Sequence, residues 1–312
     1  MDNICHTLVG ATLGEAGLRR RTRYASATLM IASNLPDLDV LVFATDIPSQ
    51  EFRRGWTHGT PAQLLLPIAL AGAVTLIGRA RPAAPGSPPL DVKWLLALSY
   101  VGVFLHVFMD FLNNYGIRLL MPLVERWFYG DTLFIIDPWL WATFAAGIWL
   151  ARRQQLARPA QLALITAALY IGVMFGSARA ARAIVRDAWT AANGTPPVAL
   201  MVGPQPVTPF TRAVIIDAGD HYVTGTFRWA SSAVELDPQT VPKNDTHPAV
   251  AAARQVREIR GFLVWSRFPF WTIEPTDGGT RVSVGDMRFA GGGLLQRNQF
   301  LRSTVVPGNA AP

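Results

Sequence analysis

The sequence lacks several features that define common classes of protein. Cys5 is the single cysteine among 312 residues, so the chain can form neither an intramolecular disulfide nor a cluster of thiolate zinc ligands. Charged residues make up only 16% of the chain. A soluble protein is usually about a quarter charged. The sequence also contains no glycine-rich phosphate loop and no Ser–His–Asp order. A bound metal would therefore need imidazole and carboxylate ligands.

An uninterrupted apolar run of about 20 residues, the usual length of a membrane span, is also missing. Apolar segments nevertheless crowd the first half of the chain. A further apolar stretch, 25–44, is broken by an acidic motif. The alternative is a large soluble helical protein, but the most apolar segments leave few polar faces for water. We predict four membrane spans, at residues 63–78, 94–112, 133–150 and 161–178.

Positive charge is spread between these segments instead of forming one patch, although the net charge is +7. This distribution is typical of basic residues that orient membrane spans, and we do not expect nucleic acid as a partner. The clusters at 19–23, 79–93 and 152–158 are predicted to face the cytoplasm. Tracing the chain then places the acidic and histidine motifs, and the C-terminal region, on the opposite side. Four arginines lie on that side against the rule: Arg53, Arg54, Arg118 and Arg126.

A change of composition near residue 186 divides the chain. The fold class we predict is mainly α, a multi-helix transmembrane bundle followed by a small β-rich C-terminal soluble domain. The predicted parts are a helical membrane domain (1–186), a Pro-, Gly- and Thr-rich linker (187–209), the β-rich domain (210–306) and a disordered tail (307–312). Short β-branched and aromatic runs predict strands, and one segment, 248–260, is a helical candidate. The predicted strands are 213–217, 222–229, 262–266, 270–273 and 280–284.

His106 and Asp110 lie four residues apart in a predicted helix, so both side chains leave the same face. An imidazole and a carboxylate at this spacing form a common half-site for a divalent metal. Asp110 also interrupts a predicted span, where ionisable groups are costly and usually functional. The alternative is a His–Asp hydrogen bond that only joins two helices.

Asp37 and Asp39 lie in a short apolar stretch with no basic residue nearby in sequence. Buried carboxylates in such surroundings need a proton or a cation. One of them could also act as general base on a water molecule that the metal activates. The alternative is a solvated loop. His58 precedes another apolar run, and Thr57 could orient its imidazole through a hydrogen bond.

Further candidates surround these motifs. His6 follows Asp2 by four residues, although Asp2 could instead cap the first helix. Asp131 could complete a metal shell or hold a histidine. Asp137 precedes a proline and is better explained as a helix cap. His221 and His247, in the C-terminal region, are interpreted as surface residues.

The order of these motifs over roughly residues 1–150 resembles the YdjM-type family of membrane-bound, predicted metal-dependent hydrolases. The motifs are Asp2-x3-His6-x3-Gly10, Asn34-x-Pro36-Asp37-x-Asp39, Thr57-His58-Gly59 and His106-x3-Asp110-x4-Tyr115-Gly116. That family is in turn similar to the zinc-dependent phospholipase C and P1 nuclease group. The resemblance implies a set of metal ligands and an aspartate, Asp37 or Asp39, that activates water. The implied ligands are His6, Asp37 or Asp39, His58, His106 and Asp110.

Two departures from the family pattern matter. The family often has His-Arg before the Thr-His element, whereas this chain has Arg53-Arg54-Gly55-Trp56. The phospholipase group also has a His-x3-Glu pair that is missing here, so we expect one or two metal ions instead of three.

These observations predict a membrane-bound metal-dependent hydrolase of a bacterial inner membrane, acting on a membrane lipid or a lipid-linked phosphodiester. Imidazole and carboxylate ligands suit zinc best, and also manganese or iron. One alternative is a metal-binding membrane module or transporter without hydrolytic activity. Another is a sensor or assembly factor that uses its membrane half as an anchor.

Overall fold

A computed structural model of the chain describes residues 1–290 and 300–307. The chain divides into two compact units. The first comprises residues 1–41, 53–178 and 203–209, and the second comprises 42–52, 179–202 and the described residues from 210 onward. The helices are α1 (Asn3–Glu15), α2 (Ala25–Ala32), α3 (Ser49–Phe52), α4 (Thr60–Ala80), α5 (Val92–Phe111), α6 (Pro138–Gln154), α7 (Arg158–Asn193), α8 (Pro248–Ala253) and α9 (Arg257–Trp265).

Three helices are long and apolar enough to cross a membrane: α4, α5 and α7. They match the spans predicted at 63–78, 94–112 and 161–178. A fourth candidate is a bent pair, in which α2 meets the 3-10 helix Leu35–Ala44 at 50°. The span predicted at 133–150 is not among these candidates. Asp137 caps α6 and Pro138 begins it, so the apolar residues before Asp137 are outside the helix.

The helices of the first unit pack closely because small residues lie where their backbones meet. A Cβ added at Gly10 of α1 would lie 2.9 Å from the carbonyl oxygen of Leu29 in α2. A Cβ at Gly102 of α5 would clash with the Cβ of Ala32, also in α2. Helix α2 therefore contacts both α1 and α5, and the residues that follow α2 are held against α5.

The second unit contains two sheets. The four-stranded sheet has the order β1 (Ala199–Pro204), β2 (Thr211–Asp217), β3 (His221–Arg228) and β4 (Ala233–Pro242). The three-stranded sheet has the order β5 (Pro269–Thr276), β6 (Gly279–Asp286) and β7 (Leu301–Val306). Pairing is antiparallel from β2 to β4 and from β5 to β7. Apolar side chains of α7, β1, β2 and β3 form one core of this unit.

The C-terminal predictions are confirmed for four of the five strands. The strand predicted at 262–266 is wrong, because these residues belong to α9, in which Ile259, Phe262 and Trp265 are buried at helical spacing. The helix predicted at 248–260 is two helices, α8 and α9. The segment predicted as a linker, 187–209, contains the end of α7 and all of β1. Of the predicted disordered tail, 308–312 lie outside the described residues.

Candidate metal centre

Four predicted ligands converge in the first unit: Asp37, His58, His106 and Asp110. Each offers one ligand atom, and these atoms all lie within 4.8 Å of one another. Asp37 comes from the 3-10 helix after α2, and His58 from the loop before α4. His106 and Asp110 come from the last two turns of α5. Residues far apart in sequence are thus brought to one point, beside the start of α4 and the end of α5.

The atoms at this point are two imidazole nitrogens and two carboxylate oxygens. His58 Nε2 lies 3.1 Å from His106 Nε2. Asp110 Oδ2 lies 3.4 Å from the first nitrogen and 3.6 Å from the second. Asp37 Oδ1 lies 4.0 Å and 3.8 Å from the same two atoms. The side chains of His58, His106 and Asp110 are fully buried, whereas that of Asp37 is 10% exposed. Asp37 therefore lies at the accessible edge of the group.

The hydrogen bonds of the two histidines define their tautomers. His106 Nδ1 lies 2.8 Å from the carbonyl oxygen of Ser33, which can only accept a hydrogen bond, so this nitrogen carries the proton. His58 Nδ1 lies 2.9 Å from the hydroxyl of Thr57, and that hydroxyl donates to Asp39 Oδ2 at 3.3 Å. With the hydroxyl donating to Asp39, it accepts from His58 Nδ1, and we assign the proton of that ring to Nδ1.

Both Nε2 atoms consequently present lone pairs toward each other. Two acceptors 3.1 Å apart cannot form a hydrogen bond, and two nearby carboxylates add negative charge in a buried place. A cation between these atoms removes both conflicts. The donor set is imidazole and carboxylate, which divalent zinc, manganese and iron accept. The residues present therefore fit a divalent metal ion.

Asp39 lies beside the other nitrogen of His58, outside the group of four. Its Oδ2 is 3.6 Å from His58 Nδ1 and accepts a hydrogen bond from the backbone N–H of Arg54 at 2.8 Å. A carboxylate or hydroxyl behind a ligating histidine fixes the orientation of the ring and raises its basicity. Thr57 and Asp39 both occupy this supporting place, which is the role that the sequence suggested for Thr57.

Arg54 is the functional neighbour that sequence reasoning missed. Its guanidinium is buried, lies 3.2 Å from Asp110 Oδ2 and donates to Asn113 Oδ1 at 3.0 Å. Arg53 Nε lies 3.2 Å from Asp39 Oδ1. Two of the four arginines that contradicted the charge rule therefore neutralise carboxylates of the centre. These arginines lie on the predicted non-cytoplasmic side, shortly before Thr57 and His58. This unexpected position could have marked them as functional candidates from the sequence.

His6 adjoins the group through its neighbours. Its ring stacks on His106 with centroids 4.0 Å apart, and its Nε2 lies 3.3 Å from Asp110 Oδ1. The amino group of Met1 contacts the same oxygen. His6 is buried and stays a predicted ligand, in contact with Asp110 instead of with all members of the group.

The outer candidates have other contacts. Asp2 caps α1 and accepts a hydrogen bond from Trp141 Nε1 at 3.1 Å. Asp137 caps α6 and accepts from the hydroxyl of Tyr170 at 2.9 Å, as the capping interpretation predicted. Asp131 is buried with a backbone φ of 50°. His221 contacts Asp220, and exposed His247 caps α8, both in the second unit.

Comparisons with known proteins agree with the membrane helices. A family described as "YdjM inner membrane protein" matches residues 1–181, which contain every residue of the centre. The "Uncharacterized protein YfhP" of Bacillus subtilis (strain 168) is 26% identical over 157 residues. That match covers 47% of this chain, which spans 45% of the relative's length. No solved structure matches the chain. Because the family covers more than half of the sequence, the chain belongs to the YdjM inner membrane protein family.

Proposed function

We propose that this protein is a membrane-bound metal-dependent hydrolase that acts on a lipid or a lipid-linked phosphodiester. The observation that supports it most is the pair of imidazole nitrogens, His58 Nε2 and His106 Nε2, that face each other 3.1 Å apart beside two carboxylates. A divalent ion in this place supplies Lewis acidity, which polarises a phosphoryl or acyl oxygen and lowers the pKa of a water molecule.

The burial and contacts of each side chain indicate its role in the proposed reaction. Asp37, the exposed member of the group, contacts substrate or water and holds a proton during the reaction. His58, His106 and Asp110 are buried and would hold the metal ion, with one oxygen of Asp37 as the fourth ligand. Asp39 and Thr57 orient His58 from behind. The sequence alone allowed either Asp37 or Asp39 to be the ligand or the general base. We propose that Asp37 acts at the reacting atoms and that Asp39 is a positioning residue.

The charges of the centre favour an anionic substrate. Three carboxylates, Asp37, Asp39 and Asp110, face two arginines, Arg53 and Arg54, and the amino group of Met1 offsets the third carboxylate, so the centre without a metal is neutral. A divalent ion makes the sum positive by two. In a site from which water is largely excluded, this charge attracts a phosphodiester more strongly than a neutral ester. The resemblance to the phospholipase C and P1 nuclease group favours the same class of substrate.

We also infer that the centre faces away from the cytoplasm. His58 lies two residues before α4 and Asp110 in the last turn of α5, and the two side chains lie 3.4 Å apart. The opposite ends of these helices carry Arg79 and Lys93. Because basic residues are enriched on the cytoplasmic side, the metal centre belongs to the other side of the inner membrane. If α6 also crosses the membrane, with Arg152 and Arg153 at its cytoplasmic end, chain tracing assigns the C-terminal domain to that side as well.

Hydrolysis is tested with the full chain reconstituted in lipid nanodiscs and loaded separately with zinc, manganese or iron. The substrates are phosphatidylglycerol, phosphatidylethanolamine and the generic phosphodiester bis(p-nitrophenyl) phosphate. We expect turnover of at least one phosphodiester, loss of turnover with EDTA, and loss in Asp37→Asn and His106→Ala. His247→Ser, a change at an exposed helix cap in the second unit, serves as the matched control. A metal-loaded protein that hydrolyses none of these would favour a metal-binding module or transporter.

A further inference from the structure

An apolar groove lies on the first turn of α4, directly after the metal-binding segment. Its volume is about 350 Å³, and its lining is apolar. One wall is formed by the beginning of α4, and the other by the loop after Met121. Leu65 is 63% exposed and Leu123 is 80% exposed, so both leucines face the surroundings of the protein. The lining residues are Thr60, Pro61, Leu64, Leu65, Pro122 and Leu123.

The groove is fixed to the metal centre by short contacts. Gln63 Nε2 donates to the carbonyl oxygen of His58 at 2.6 Å. The backbone N–H of Thr60 donates to the carbonyl oxygen of Met121 at 3.1 Å. Gly59 lies between His58 and Thr60 in sequence, and a Cβ at this residue would clash with the carbonyl oxygen of Met121. The two walls of the groove and the backbone of His58 are therefore held together as one local unit.

The groove lies at one end of a candidate membrane span, where we expect lipid to surround the protein. Helix α4 is long and apolar enough to cross a membrane, and the groove lies along its first turn. On the other side of the centre, Leu38 and Leu41 follow Asp37 in sequence and are also exposed. Apolar surface thus adjoins two of the four clustered residues. A polar headgroup finds no hydrogen-bonding partner in such a lining, whereas a hydrocarbon chain gains about 0.8 kcal/mol for each buried methylene.

We propose that this groove binds one acyl chain of the lipid substrate while the phosphodiester of the same molecule lies at the metal centre. The proposal rests on the proposed function and adds a substrate subsite to it. In this proposal His58, just before α4, holds the metal that binds the headgroup, and Leu64 and Leu65 in the first turns of α4 contact the acyl chain. The protein then selects phospholipids over soluble phosphodiesters by hydrophobic contact, without a further polar recognition site.

The test uses the full chain in nanodiscs doped with phosphatidylglycerol that carries a photoreactive diazirine on one acyl chain. Crosslinked residues are identified by peptide mass spectrometry. Leu169 of α7 is 66% exposed, a fraction similar to the 63% of Leu65, and serves as the matched lipid-facing control. We expect the groove to be labelled several-fold more than the region of Leu169. Leu65→Trp, which fills the groove, abolishes this excess, whereas Leu169→Trp does not.

Two further labelling experiments test whether binding in the groove depends on the metal centre. His106→Ala, or EDTA, lowers groove labelling by the phospholipid to the level given by a diazirine diacylglycerol that lacks the phosphodiester. Equal labelling of the groove and α7, or an excess that ignores both the metal and the headgroup, overturns the proposal. Metal content is measured on each sample. A chain that binds no metal refutes the proposed function, whereas a metal-loaded chain without groove enrichment refutes only the acyl-chain site.

Discussion

Arg54 joins Asp39, which lies behind His58, to Asp110, one of the four clustered residues. Its backbone N–H donates to Asp39, and its guanidinium contacts Asp110. Asn113 accepts from the same guanidinium at 3.0 Å, so the side chain is held on two sides. A buried charge of this kind is costly unless its partners stay in place. Arg54 therefore fixes the position of Asp110 and offsets its negative charge.

Replacing Arg54 tests this role. Arg54→Met leaves Asp110 with the amino group of Met1 but without its guanidinium partner, and loss of such a supporting contact typically lowers metal affinity about 10–100-fold. Arg54→Lys retains the charge but not the planar pair of contacts, so we expect an intermediate loss. The affinity is measured by competition with a chelating dye, with Arg126→Met at an exposed arginine as the control. Equal affinities in Arg54→Met and Arg126→Met would contradict the role assigned to Arg54.

The two aspartates of the Asp37–Asp39 motif are expected to respond differently. Asp37→Asn removes a clustered oxygen and therefore lowers both metal content and turnover. Asp39→Asn alters the support behind His58 and weakens binding while leaving the set of metal ligands unchanged. The X-ray absorption spectrum of the bound metal distinguishes the two. A spectrum altered by Asp39→Asn, and unaltered by Asp37→Asn at full occupancy, would reverse the assignment.

At this scale the sequence predicts which residue types gather but not which atom each presents. The His106–Asp110 spacing on a helix suffices to place both side chains on one face. The choice between Asp37 and Asp39 depends on the 3-10 helix Leu35–Ala44, whose geometry turns Asp37 inward and Asp39 toward the arginines. No local pattern reveals that geometry. Arg54 contacts a residue 56 positions away, which sequence spacing cannot show.

At the scale of elements, the close contact between α2 and α5 holds His106 in position. Gly102 lies four residues before His106 and packs on Ala32, next to the backbone of Ser33, whose carbonyl oxygen accepts from His106 Nδ1. Any side chain at Gly102 must push α2 away from α5. The orientation of His106 thus depends on a glycine that is not itself part of the centre.

Gly102→Ala is therefore expected to lower both the thermal stability and the metal affinity of the protein. Overpacking of this kind costs about 1–3 kcal/mol. Gly172→Ala of α7 is the matched control, because an added Cβ there has no neighbour within 4 Å among the described residues. It should leave stability equal or slightly raised, since alanine favours a helix interior. Thermal unfolding measures the stability of both variants, and metal titration measures their metal affinity. Equal behaviour of the two would show that the helix contact does not support the centre.

Helix ends were predictable where a capping residue marks them, as Asp137 does for α6. The segment 262–266 was misassigned because short apolar runs fit either a strand or a buried helix. Its burial at Ile259, Phe262 and Trp265 has the helical period, but the pattern is visible only when the residues before 262 are included. Strand β4 was missed because most of its residues are exposed, so it lacks the alternation that marks a half-buried strand.

At the scale of the whole molecule, the proposed orientation, with α6 as a further span, assigns the α4–α5 loop to the cytoplasm and the C-terminal domain to the other side. Single cysteines at Ala84 in the loop and Gln239 in β4 test this, because both positions are exposed and Cys5 is buried. In right-side-out membrane vesicles, a membrane-impermeant maleimide should label Gln239→Cys and spare Ala84→Cys until the membrane is opened. The reverse pattern would place the metal centre on the cytoplasmic side.

The metal content of the purified full chain tests the central claim most directly. Zinc, manganese and iron are quantified by elemental analysis in the wild type, in His58→Ala and in His106→Ala. His247→Ser, which retains a capping side chain on α8, is the histidine control. We predict about one divalent ion per chain in the wild type and control, from the single group of four ligands, and little in either alanine variant. Stoichiometric metal in both His58→Ala and His106→Ala would contradict the account.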